Sequence, residues 1–139
     1  YKNIFYDKVK DKINNRDRII FTGHVDYKVL IALFGITSAH VYLTYPFVLS
    51  WSMLEAMSVG ALVIGSRTPP VEEVIKHNKN GILVDFHDTK GLSELVNTIL
   101  NNKDGYQKLK TEARKTILDK YDLEKICLPK QIKLVKGLL

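Results

Sequence analysis

The sequence is poor in the residues that build several kinds of protein. Its one cysteine, Cys127, leaves no internal disulfide and no CxxC pair for a metal. No histidine and carboxylate group has metal-ligand spacing, so no structural metal is expected. No apolar run reaches the roughly 18 residues needed to cross a bilayer. The opening stretch YKNIFYDKVKDKI is too charged for a signal peptide. No methionine opens the chain, which predicts a fragment of a longer protein. There is no aromatic-basic RNA-binding motif and no Cys/His finger, so nucleic acid is not an expected partner. Together these features fit a reducing, cytoplasmic setting.

What is present is a core. The chain has 139 residues, of which 45% are hydrophobic. That is enough for one compact domain over 1–139 and too little for two. The formal charge is +6. A basic balance favours phosphorylated ligands or anionic lipid. The lysines from Lys108 to Lys136 sit between apolar residues at helical spacing, which reads as a solvated helix face.

Periodicity orders the elements. Ile4, Phe5, Val9 and Ile13 share one face of a helix over 3–13. Strands are expected at 18–22 (RIIFT), 39–44 (AHVYLT), 61–66 (ALVIGS) and 82–86. Helices are expected at 27–37, at 52–59 closed by Gly60, and from Pro69 with Thr68 as N-cap. Asp88 and Asp104 should cap helices 89–101 and 105–119. Asp122 opens a basic amphipathic segment that Pro129 interrupts. That segment reads as a helix packed on the domain, or as a peripheral contact with a membrane. Strands alternating with helices predict an α/β fold, a Rossmann-like doubly wound parallel sheet with helices on both faces.

Such sheets bind ligands beyond the carboxyl ends of their strands. The loops there are 23–27, 45–50, 66–70 and 86–88. The loop ending at Ser50 feeds a helix whose first amides and positive dipole end suit a phosphate. Pro69 and Pro70 donate nothing, so the next helix start suits one less. Glu55 has two readings. With Ser52 it forms the pattern Ser-x-x-Glu of a capping box. It can instead accept hydrogen bonds from a vicinal diol such as ribose. One residue can do both.

The run LSWSMLEAMSVGALVIGSRTPPVEEVIKHNKNGILVDFHD, with RIIFTGHVDYKVLIALFGITSAHVYLT upstream, resembles the C-terminal, donor-binding domain of group 1 (family 4) GT-B glycosyltransferases over residues 16–102. The resemblance implies half of a retaining hexosyl-type transferase that moves a sugar from a nucleotide diphosphate, UDP- or GDP-linked, to a glycan, lipid or other acceptor. Polysaccharide assembly is the family's usual work. It implies no cofactor beyond the donor, an acceptor held by an N-terminal domain, and no turnover by this domain alone. It assigns the donor ribose to Glu55, the diphosphate to the amides of Ser50, Trp51 and Ser52, and the base to the loop Gly23, His24 and Val25. No residue of this chain is assigned a catalytic role.

One departure matters. The family has a carboxylate eight residues before its ribose Glu, where this sequence has Phe47. The small residues after it are replaced by Val48 and Ser50. Phe cannot accept a hydrogen bond from the sugar, which supports an alternative: a non-catalytic Rossmann-like domain kept for partner binding. Arg67 reads as a cation near the diphosphate or as a solvated loop residue. His40 should pack, His77 should sit at a helix end, His87 should border the cleft, and Trp51 should pack at its helix start.

Overall fold

In the computed structural model, described for residues 8–14, 16–45 and 49–138, three parallel strands form one sheet. They are β1 (His40–Tyr42), β2 (Val63–Ser66) and β3 (Ile82–Val84), in the order β1-β2-β3. The register pairs His40 with Val63 and Ile64 with Ile82. The sheet is covered by α1 (Tyr27–Ile36), α2 (Trp51–Ser58), α3 (Pro69–Val74), α4 (Thr89–Asn101) and α5 (Gln107–Lys120), and α6 (Leu128–Lys136) follows them.

The central strand explains the layering. Side chains alternate across a strand, so β2 serves two cores. Val63 faces Phe34, Met53, Met57, Val71, Ile75 and Ile117, which come from α1, α2, α3 with its following residue, and α5. Leu62 and Ile64 face Ile82 and Ile99, under Leu92, Leu95 and Val96 of α4. Helices therefore cover both faces, as a parallel sheet requires. Gly65 is small for a reason. A Cβ there would stand 2.7 Å from Val71 Cγ1, so α3 lies against the strand backbone.

Helix ends follow local chemistry. Gly60 takes φ +80° just past α2, the left-handed position that glycine tolerates. Asp88 Oδ1 accepts from Gly91 N at 2.8 Å and starts α4. Asp122 Oδ1 accepts from Lys125 N at 2.8 Å and starts a π-helical turn, Leu123–Cys127. Pro129 follows in the first turn of α6, where its missing N–H costs nothing, so it starts that helix and does not interrupt it.

Three expectations need correction. RIIFT is no strand: Ile19–Phe21 run outside the sheet, and Ile20 is 86% exposed. Its branched residues carry strand propensity, but propensity reflects packing, and no described strand pairs with this segment. The sheet thus has three described strands where four were expected. Asp104 does not cap α5. It lies in a 3-10 turn, Lys103–Tyr106, and Tyr106 occupies the N-cap. α6 does not pack into the domain: it buries no residue, and Leu134, Val135 and Leu138 stay exposed. Of the helix expected over 3–13, only its last part is described, ending in the 3-10 turn Lys10–Lys12.

Candidate functional site

The site is built where β1 and β2 end. After Tyr42 the chain passes to Thr44, which exchanges hydrogen bonds with Ser66 at the end of β2. Thr44 N donates to Ser66 Oγ at 3.0 Å, and Ser66 Oγ donates to Thr44 O at 2.7 Å. Ser66 is fully buried, so this clasp fixes the two strand ends against each other.

Ser50 then starts α2. Its Oγ accepts from Ser52 N at 3.3 Å and lies 3.0 Å from Ser52 Oγ. The cap is therefore Ser50, two residues earlier than expected. The third helical position is Met53, so Glu55 cannot close a capping box with Ser52. The structural reading of Glu55 falls on register alone. Removing the cap should cost stability: Ser50→Ala is expected to lose about 1 kcal/mol in chemical denaturation, the usual cost of losing an N-cap hydroxyl.

Glu55 is half-buried, and its carboxylate stands near the Tyr27 phenol. Interaction with that carboxylate, then loss of solvent, raise the Tyr27 phenol above its usual pKa. Tyr27 is the first residue of α1, which packs against α2 through Phe34 and, at its edge, Leu30 and Ile31. Immediately before it run Gly23, His24, Val25 and Asp26. Gly23 makes the turn with φ +62°. The loop 23–25 thus leads into the helix whose first residue stands near Glu55.

Sequence reasoning passed over two residues here. Tyr27 was read only as the start of a helix; its signal is an aromatic hydroxyl in the first turn after the candidate base loop. Tyr42 was read only as a strand residue, yet its hydroxyl accepts from Ser50 N at 3.0 Å. The first amides of α2 are therefore held by hydroxyls: Ser50 N by Tyr42, Ser52 N by Ser50. The Trp51 amide finds no acceptor among the described residues.

Trp51 and His77 stand apart from expectation. Trp51 does not pack; its side chain is 80% exposed at the start of α2. Arg67 pairs with Glu72, Nη1 to Oε1 at 3.3 Å, both half-exposed. His77 lies beyond the end of α3, and its Nδ1 accepts from Leu83 N at 3.0 Å, so it braces β3. His40 packs as expected, edge-on to Phe34 at 4.7 Å, and burial lowers its pKa. His87 stands against Phe86, which meets Tyr45 edge-on at 5.6 Å. His24 is exposed. Phe47 and Val48 lie outside the described residues. Among the described residues no group of three His, Cys, Asp or Glu could hold a metal, and no helix is long and apolar enough to cross a membrane.

The wider likenesses agree with this architecture. Anabaena HepE, solved in complex with UDP-glucose, superposes at a TM-score of 0.84 with 17% identity, over 100% of this chain and 37% of that one. Sucrose-phosphate synthase from Thermosynechococcus elongatus superposes at 0.83 with 24% identity, over 96% of this chain and 33% of that one. These likenesses show the fold, the parallel α/β layer of GT-B glycosyltransferases. In sequence, the chain is 27% identical over 110 residues to N-acetyl-alpha-D-glucosaminyl L-malate synthase of Bacillus anthracis. That match takes 79% of this chain and 28% of the relative, so the chain spans under a third of that protein. The sequence model described as "Glycosyl transferases group 1" matches residues 5–116. The chain belongs to the group 1 glycosyltransferases.

Proposed function

We propose that this chain is the donor-binding domain, the C-terminal half, of a retaining glycosyltransferase that takes its sugar from a nucleotide diphosphate such as UDP or GDP. One observation carries the reading. Glu55 is not used by the helix cap, and its carboxylate stands near Tyr27, the first residue of the helix that follows the loop 23–25. A carboxylate so placed suits a ribose diol, with the base against Gly23, His24 and Val25.

The diphosphate belongs at the start of α2. There the helix dipole and the amides of Ser50, Trp51 and Ser52 meet anionic oxygens. Phosphate oxygens replace the Tyr42 and Ser50 hydroxyls as acceptors of two of those amides. The same donors stabilise charge as the sugar–phosphate bond breaks, which is catalysis by fixed dipoles. The acceptor, a glycan or lipid, is held by an N-terminal domain, and the chemistry needs no cofactor. A Phe at position 47 supports a second reading, a domain that keeps the fold for partner binding without turnover.

Titration of the intact protein with UDP and with GDP, followed by amide chemical shifts, tests the main reading. Shifts clustered at residues 23–25 and 49–55 are expected with one of the two. Silence with both at millimolar concentration would sink the donor reading and favour the partner-binding one.

A further inference from the structure

Two aromatic rings meet over the end of the sheet. Tyr45 follows β1 and Phe86 follows β3, the two outer strands of the three. Their ring centroids stand 5.6 Å apart at an interplanar angle of 75°, an edge-to-face contact. The two strands are separated by two strand spacings, roughly 9–10 Å. The rings therefore reach toward each other across the carboxyl end of β2.

Neither ring is spent on the core. Tyr45 and Phe86 belong to neither apolar cluster, and Tyr45 is 67% exposed. Both are nonetheless held. Tyr45 follows Thr44, whose N–H and C=O are clasped by Ser66 Oγ at 3.0 and 2.7 Å. His87 meets Phe86 edge-on at 5.0 Å, and His87 N donates to Asp85 Oδ1 at 2.9 Å. An edge-to-face contact uses at most one face of the Tyr45 ring, and the exposure leaves the other open.

The position gives that open face a use. Ligands of parallel α/β sheets bind beyond the carboxyl ends of the strands. The start of α2 stands beside the same end of β1, because the Tyr42 hydroxyl accepts from Ser50 N at 3.0 Å. The diphosphate proposed there carries the donor's sugar, which therefore lies close to these strand ends. A hexose is polar at its rim and apolar where its axial C–H bonds gather on one face. Those C–H groups are slightly positive, and the face of an aromatic ring is negative. A lysine or a carboxylate cannot match such a face, and a tyrosine ring does.

We infer that Tyr45, held by Phe86, is the stacking residue for the donor's sugar: its open face receives the C–H face of a hexose ring. The inference rests on the donor reading above and extends it to the sugar. Phe86 is a positioning residue, which touches no substrate and fixes the tilt of the Tyr45 ring.

The test compares Tyr45→Leu, Tyr45→Phe and Phe86→Leu with wild type in the intact protein. Calorimetric titration uses UDP, UDP-glucose, UDP-N-acetylglucosamine, GDP and GDP-mannose, and the thermal midpoint reads the fold. Tyr45→Leu keeps the bulk and loses the aromatic face. Its affinity for the sugar nucleotide should fall about 3- to 10-fold, with the bare nucleotide unchanged. Tyr45→Phe keeps the face and should keep the wild-type ratio between the two. Phe86→Leu should fall between them. In the wild-type complex, nuclear Overhauser effects should join Tyr45 ring protons to sugar C–H protons. A wild-type ratio in Tyr45→Leu overturns the inference and leaves the donor reading standing. An equal loss for bare and sugar-bearing nucleotides also overturns it, because Tyr45 would then support only the loop or pack on the rest of the protein. So does a wild type that takes a nucleotide but none of its sugar forms. A wild type that binds no nucleotide removes the donor reading and the inference with it.

Discussion

Glu55→Ala should cost the protein about 100-fold or more in affinity for its nucleotide diphosphate while the fold persists. A hydrogen bond to a charged group contributes about 1.5–3 kcal/mol, and a diol makes two. Each 1.4 kcal/mol is about a factor of ten in the dissociation constant, so even imperfect additivity gives about two decades. The fold should persist for separate reasons. Glu55 lies mid-helix in α2, caps nothing, and is only half-buried. Alanine is the better helix former there. The core positions of the same helix, Met53, Ala56 and Met57, are untouched. Calorimetric titration against UDP or GDP reads the affinity, and the thermal midpoint reads the fold. A variant that binds as wild type would remove Glu55 from the site and leave Phe47 as the better guide to this domain. Glu55→Gln keeps the shape and one acceptor, so it should fall between the two.

That expectation depends on a register the sequence could not supply. Ser50 and Ser52 are both good N-caps, and Ser52-x-x-Glu55 fits the capping-box spacing. Only the three-dimensional course of residues 49–53 decides between them, and it puts Met53 where the capping Glu would stand. Other boundaries were legible because one residue type dictates them. Asp88 before Thr89, Thr68 before Pro69-Pro70, and Gly60 after α2 each fall where capping chemistry puts them. Thr68 holds the position without the bond: its Oγ1 is buried and finds no partner among the described residues. RIIFT was misread because strand propensity cannot tell whether a partner strand lies alongside. The start of α2 was placed beyond the end of β1 by the parallel topology alone, whereas the loop 23–25 was placed there by way of RIIFT, which is no strand. Tyr42 was not legible, because a hydroxyl reaching across two elements leaves no periodic trace. The start of the site could be read; its internal hydrogen bonds could not.

Asn80→Ala should be among the most damaging single changes outside the apolar core, and its cost follows from counting groups. Asn80 is buried in the turn between α3 and β3. Its Oδ1 accepts from Lys76 N at 2.7 Å, and its Nδ2 donates to Val74 O at 3.1 Å and to Thr116 Oγ1 at 3.0 Å. The first two bonds complete the end of α3, a helix of six residues that cannot satisfy its own last carbonyls. The third reaches α5. Alanine leaves an amide and a carbonyl unpaired, and each buried orphan costs about 1–3 kcal/mol. The expected loss is about 2–5 kcal/mol, against a total stability of about 5–15 kcal/mol. For a chain of this length that is a fall of roughly 7–17 °C in thermal midpoint. Asn80→Asp separates the two halves of the argument. It keeps the acceptor for Lys76 N but turns a second oxygen toward Val74 O, so it should be nearly as unstable as alanine. Neighbouring Gly81 leaves the turn no room to adjust, since a Cβ there would stand 3.0 Å from Ile75 Cγ2 and 3.1 Å from Val63 O. A loss below about 1 kcal/mol for both variants would mean that water enters the turn and takes over the two groups, at a cost near that of an ordinary surface change.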